Sequence, residues 1–381
     1  CEDMNRTFNL WRLEGIRQLG FLQAPWFADV KRSSPIALHN RFVHSLDVMT
    51  IATLIGYNAG LSQERLNTLR TAALTHDMGT PAGGDSVKFI DPAALDEDAN
   101  YQRLLEQYPA RKELWEKYGI DEQLLVETIH GQGVLGQILD IADKLAYTAR
   151  DLWACEPYIQ YGAKHMHQEG LQELLDLWES KSDVCGLWDS IIIAGDRVGF
   201  VDVERLETFL KIRTLMFREL YTHPHARLGE WLVARVLAKA LYVQGELTRD
   251  QLLKMNDFGL EKLLDEKYSG RYTFAKPLVE DVSDSGQCRS FATLDEALQF
   301  QNSLFEQGNP FALIEDNNRL IKTGVHFNVV TRRGLLPFEK MYPERAQKIK
   351  QMAEIEFAVH VYFLTDEPAI SRKALASLAQ L

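Results

Sequence analysis

The stretch DIADKLAYTARD (residues 140–151) decides how this chain folds. It lies in a longer run, 122–155, whose apolar residues recur every three or four positions, the spacing of a helix with one buried face. Asp143, Tyr147 and Asp151 stand at i, i+4 and i+8, so an acid, a phenol and a second acid line one face of that helix. The same period marks 41–60, 64–77, 203–221 and 228–243 as helices, with Gly60 ending one and Ser62 placed to cap the next. Residues 1–245 therefore read as a mostly α domain.

Beyond 245 the texture changes. CRSFAT (288–293), FALIED (311–316), GVHFNVVTR (324–332) and FAVHVYFL (357–364) are rich in β-branched and aromatic residues, as strands are. Helix-like stretches at 294–307 and 343–354 lie between them. Residues 246–381 are expected to form a smaller C-terminal α+β region, either separate or packed as part of the same unit.

The bulk properties narrow the function. Of 381 residues, 46% are hydrophobic and 25% charged, which suits a globular protein. No window reaches the roughly 18 uninterrupted apolar residues of a membrane span. No charged-then-apolar leader pattern opens the sequence, which starts at Cys1 without a methionine. Cys1, Cys155, Cys185 and Cys288 are scattered, with no CxxC pair, which argues against a disulfide framework or zinc ribbon and suits the cytoplasm. The net charge of −12 opposes nonspecific nucleic-acid binding but leaves room for a small anionic substrate at a locally positive site.

Three segments concentrate the chemistry: HNRFVHSLDV (39–48), LTHDMGT (74–80) and the 140–151 stretch. Neighbours on a regular helix point about 100° apart, so His76 and Asp77 face one ion only if the helix ends there. Gly79 and Pro81 supply that ending. With His44 and Asp143 arriving from other helices, two imidazoles and two carboxylates suit one divalent transition metal per chain: Mn, Fe, Co, Ni or Zn.

These segments resemble the HD-domain superfamily, named for its adjacent His-Asp ligands, and within it the deoxynucleoside triphosphate triphosphohydrolases of the bacterial dGTP and SAM-and-HD-domain types. RLEGIRQLG (12–20) is similar to that family's RLxxIxQLG helix, HNRFVHSL (39–46) to its first metal segment, and DKLAYTARD (143–151) to its DKxxYxARD pattern. LLKMNDFGLEKLL (252–264) resembles a later helix more loosely. The resemblance implies His44, His76, Asp77 and Asp143 as metal ligands, with additional Mg on the substrate phosphates. It places Gln18 against the sugar, Arg41 and Lys144 on phosphate oxygens, Tyr147 beside the ribose 2′ position, and Asp151 on the 3′-hydroxyl. Arg218, in preference to Arg213 and Arg227, is expected toward the triphosphate. The implied activity is hydrolysis of a deoxynucleoside triphosphate to deoxynucleoside and triphosphate, in a homo-oligomer.

One run departs from the family. Where relatives carry Gly-His-x-Pro-Phe-x-His, this chain has GTPAGGD (79–85), with Thr80 and Asp85 at the two histidine positions. Asp85 or His130 is then the candidate general acid or base. The departure also keeps open another HD phosphohydrolase, acting on nucleoside monophosphates or a signalling nucleotide, and a non-catalytic nucleotide sensor. The His223/His225 pair, split by Pro224, reads as a loop rather than a second metal site.

Overall fold

The computed structural model describes residues 2–20, 39–165, 168–180, 182–222, 227, 230–268, 288–308, 312–316, 322–354 and 359–363. The His223/His225 pair lies outside them. In chain order come α1 (Glu2–Phe8), a 3-10 turn (Leu10–Gly15), α2 (Arg41–Asn58), α3 (Gln63–Thr75), a second 3-10 turn (His76–Gly79), the one-turn α4 (Asp85–Lys88) and α5 (Pro92–Leu95). Then follow α6 (Glu97–Glu106), α7 (Arg111–Tyr118), α8 (Glu122–Ile129), α9 (Gly133–His165), α10 (Glu169–Ser180) and α11 (Val203–Met216). The mostly α reading holds.

Local chemistry sets these boundaries. The Asn40 side chain accepts from Val43 N at 2.9 Å and opens α2, and Ser62 caps α3 by accepting from Arg65 N. The stretch expected as one helix over 122–155 is two, because Gly131 turns left-handed at φ 72° and breaks the chain before α9 begins. Val48, Ala52 and Ile55 of α2, Leu69 and Ala72 of α3, and Ile138, Ala142 and Leu145 of α9 share one core. Arg150 of α9 donates to both Asp47 oxygens of α2 at 2.8 Å. These three helices carry the site.

Three further expectations are corrected. The 12–20 stretch is not a helix: after the Leu10–Gly15 3-10 turn, Ile16 is extended and Arg17 bridges Asn40. Its backbone bonds run across the chain instead, with Gln18 N donating to His39 O at 3.1 Å and Arg41 N to Ile16 O at 2.9 Å. The helix expected over 203–221 stays α-helical only to Met216, then widens into a π turn over Phe217–Tyr221. Strands also occur where none was foreseen: β1 (Ile191–Ala194), β2 (Arg197–Phe200) and β6 (Gly334–Pro337).

With β3 (Cys288–Phe291), β4 (Ala312–Asp316), β5 (Asn328–Thr331) and β7 (Val359–Phe363), these make two sheets, ordered β1-β2-β5-β6 and β3-β7-β4. The first joins chain from both sides of residue 245, through a parallel pairing of Phe200 with Val329. The second is antiparallel, and its Val359 and Val361 pack against Ala297 and Leu304 of the Leu294–Glu306 helix. Among the described residues no helix is long and apolar enough to cross a membrane.

Candidate metal centre

α3 ends where the sequence requires it to. His76 still donates its backbone N–H to Ala72 O, and the chain then tightens into a 3-10 turn closed by Thr80 N to Asp77 O at 2.9 Å. The change of helical phase turns His76 and Asp77 toward one point, where they meet His44 of α2. The ligand atoms of His44, His76 and Asp77 all lie within 4.8 Å of one another. Asp143 enters from α9, with Oδ1 2.9 Å from His44 Nε2 and 3.9 Å from His76 Nε2.

The surroundings prepare these atoms for a cation. His76 Nδ1 lies 2.8 Å from Ala73 O. A carbonyl only accepts, so Nδ1 carries the proton and Nε2 presents its lone pair inward. His44 is 1% exposed; its Nδ1 has no hydrogen-bond partner, and its Nε2 meets Asp143 Oδ1. A buried imidazole nitrogen facing a cluster of carboxylates and a second imidazole is placed where a cation can bind it. Asp77 accepts from Arg41 Nη1 at 3.1 and 3.2 Å and from Thr80 Oγ1 at 3.2 Å. Burial works to raise its carboxyl, but Arg41, His76 and His44 hold it well below the usual range. Burial likewise opposes ionisation of Asp143, and the His44 and His76 rings overcome it, leaving that carboxyl lowered. The donor set fits a divalent transition metal.

The turn itself is held from outside. Arg12 donates to Met78 O at 3.0 Å, Thr80 O at 2.8 Å and Met255 O at 3.1 Å. Burial pushes its guanidinium down to about 10, so it stays charged near neutrality. Asp257 accepts from Gly83 N at 2.7 Å and Arg17 N at 3.0 Å, fixing the glycine turn against the 15–20 segment. The fit there excludes side chains: a Cβ on Gly20 would stand 2.5 Å from Gly83 O. This explains why the 12–20 and 252–264 stretches accompany the ligands. Arg12→Ala is expected to lower stability by about 3 kcal/mol, since several charge-assisted bonds disappear together, and to weaken metal retention. Thermal unfolding and metal content measure the two effects.

Residues 41–148 match the HD domain family, and His44, His76, Asp77 and Asp143 all fall inside the match. The chain carries an HD domain. The chain is also 29% identical over 198 residues to deoxyguanosinetriphosphate triphosphohydrolase-like protein 1 of Deinococcus radiodurans, covering 46% of this chain and 48% of the relative. The chain thus spans about half the length of the curated relative it matches. In fold it is similar to a crystal structure of a phosphohydrolase from Bacteroides thetaiotaomicron VPI-5482, at TM-score 0.64 and 16% identity, over 95% of this chain and 94% of that one.

Around the HD-domain ligands the expected substrate residues divide. Arg41 is buried against Asp77 and also donates through Nη2 to Asp85. Tyr147 lies at the site with its hydroxyl accepting from Arg213 Nε at 2.6 Å, and burial pushes it up to about 12. Lys144 pairs with Asp140 and sits 5.7 Å from the Phe327 ring centroid. Gln18 is buried with Oε1 unpartnered. Asp151 is buried with both oxygens engaged, by His39 Nε2 and by Tyr221 OH, the latter at 2.6 Å.

Arg218 does not join them. It donates to Glu219 and, at 2.8 Å, to Met352 O. Arg227 is bound into a buried cluster with Glu230 and Glu315. Arg213 is the arginine that meets Tyr147; it is 2% exposed and also donates to Lys322 O. Among the described residues no carboxylate pairs with it.

Of the two acid/base candidates, His130 is the exposed C-cap of α8, and no contact places it on the metal ligands. Asp85 lies closer, between Arg41 and Lys88. Its side chain is 58% exposed, yet the protein around it still removes hydration and opposes ionisation; Arg41 and Lys88 outweigh this and hold it well below the usual carboxylate range. An acid so held keeps no proton to give at neutral pH and is a weak base. Lys88, His39, Arg213 and Tyr221 contact the candidate residues, and sequence reading missed them or set them second. His39 had a signal, its place in the HNRF run, whereas Lys88 had none.

Proposed function

We propose that the chain hydrolyses deoxynucleoside triphosphates to deoxynucleoside and inorganic triphosphate at the His44, His76, Asp77 and Asp143 centre. The observation that carries this reading is the convergence of two prepared imidazoles and Asp77, beside Arg41, in a chain whose distant relative is named for that activity. A divalent ion bound there would polarise the phosphoryl group and acidify water. Arg41, through its second guanidinium nitrogen, and Lys144 would neutralise phosphate charge, with Arg213 replacing Arg218 as the buried cation on that side.

The sugar would lie toward α9 and the 16–18 segment. Gln18 Oε1 and His39 Nδ1 are buried polar atoms without partners, and Asp151 with Tyr221 lies beside His39. Such atoms suit a hydroxyl-bearing ligand edge. If Tyr147 excludes a 2′-hydroxyl, Tyr147→Ala should lower the preference for dNTPs over NTPs by roughly tenfold or more, while Tyr147→Phe keeps it. An unchanged ratio in the alanine variant removes Tyr147 from the sugar pocket.

The second reading, a phosphohydrolase of nucleoside monophosphates or of a signalling nucleotide, is favoured by one observation: an acid, Asp85, stands where relatives have a phosphate-side histidine. Turnover of a panel of dNTPs, NTPs, monophosphates and a signalling nucleotide with Mn²⁺ separates the two. Release of inorganic triphosphate from a dNTP is the expected result, and orthophosphate from a monophosphate alone overturns it. The ligand set, the catalytic 1–245 portion and a homo-oligomeric assembly belong to the same proposal.

A further inference from the structure

Arg41 divides its guanidinium between two acids. Nη1 faces both oxygens of Asp77, and Nη2 reaches Asp85 Oδ2. The other Asp85 oxygen lies 2.6 Å from Lys88 Nζ, and Lys88 also pairs with Glu97. A guanidinium and an ammonium thus converge on one small anion, one guanidinium width from a metal ligand. We propose that Arg41 and Lys88 form a seat for a phosphoryl oxygen pair of the nucleotide, and that the Asp85 carboxylate fills this seat until the substrate displaces it. The proposal rests on the reading of the site as a nucleotide phosphohydrolase centre.

Three observations support displacement rather than a fixed clamp. The cations are inside and the occupant is outside: the side chains of Arg41 and Lys88 are 7% and 19% exposed, that of Asp85 58%. Asp85 can therefore leave without opening the core, and water screens much of its hold. Asp257 holds the backbone of the turn at Gly83, so Asp85 leaves by rotating its side chain and the turn itself stays in place. Lys88 keeps Glu97 as a partner, so departure of Asp85 leaves both cations anchored and pointing at the vacated position. A carboxylate and two phosphoryl oxygens are matched in shape and charge for such a pair of donors.

The test is calorimetric titration of the Mn²⁺-loaded protein with inorganic tripolyphosphate, at constant free Mn²⁺. Asp85→Asn should bind about tenfold tighter, because the internal competitor is neutral. Lys88→Ala should bind roughly tenfold or more weakly, the worth of one charge-assisted contact, and Lys88→Arg should recover most of it. In the Asp85→Asn background, Lys88→Ala should still weaken binding. Unchanged or weaker binding by Asp85→Asn, or wild-type binding by Lys88→Ala, overturns the proposal; if Lys88→Ala fails to fold, Asp85→Asn and Lys88→Arg decide. The titration needs no turnover. These shifts without hydrolysis of any nucleotide leave the seat standing and remove the substrate reading, and hydrolysis without these shifts does the reverse.

Discussion

Asp77→Ala is expected to strip the protein of its metal and to lower turnover by at least about 10³-fold, which is the scale on which metal-supplied transition-state stabilisation acts. Asp77 has two roles. Its carboxylate converges with the two imidazoles, and it is the principal partner of buried Arg41. Removing it leaves a buried guanidinium held only by the half-exposed Asp85, at a cost of about 3–5 kcal/mol. The two losses are separable. Mn²⁺ should raise the unfolding temperature of the wild-type protein and leave that of Asp77→Ala unmoved, because only a protein that binds the ion is stabilised by it. Metal analysis should find close to one ion per wild-type chain and none in the variant. A wild-type site that stays empty when Mn²⁺ is added would sink the metal reading.

Asp151→Ala should be nearly as damaging, by a different route. His39 and Tyr221 each direct a polar atom at Asp151 in a buried setting, and without it both groups lose their acceptor. Two unsatisfied buried groups cost about 1–3 kcal/mol each. If this cluster also orients the sugar, kcat/KM for the best dNTP should fall roughly a hundredfold, as expected when a polar site can no longer match a substrate hydroxyl. Asp151→Asn distinguishes the two effects, since it can still accept one bond and should recover stability before it recovers activity. Stability lost with kcat/KM intact would confine Asp151 to a structural role.

The convergence of His44, His76 and Asp77 was legible because a His-Asp pair at a helix end and an earlier histidine together offer donors for one cation. Helix ends, caps and the strand-rich stretches after 288 were legible for local reasons. What the sequence hid is phase and partnership. Arg218 looked suitable on a continuous helix, but the π turn starting at Phe217 ends the 100° step, turning Arg218 to Glu219 and bringing Tyr221 to Asp151. Arg213, still on regular α11, reaches Tyr147. Lys88 in SVKF has no pattern to distinguish it from a surface lysine, and only its burial beside Arg41 and Asp85 does so. The run of three isoleucines at 191–193 was a strand signal masked by its helical neighbours.

The parallel pairing of Phe200 with Val329 bears on how the chain is made. A ribosome delivers β2 long before β5, so the first sheet cannot close until most of the chain has emerged. Contacts so distant along the sequence carry a large loop-closure entropy and form late. The 322–327 loop, which supplies Lys322 O to Arg213 and the Phe327 ring to Lys144, arrives with β5. A nascent chain can thus assemble its HD helices before the segment that contacts Arg213 and Lys144 has arrived. Chains released early would carry the HD helices with an open β2 edge and Arg213 without its Lys322 acceptor, and an open strand edge is a template for aggregation.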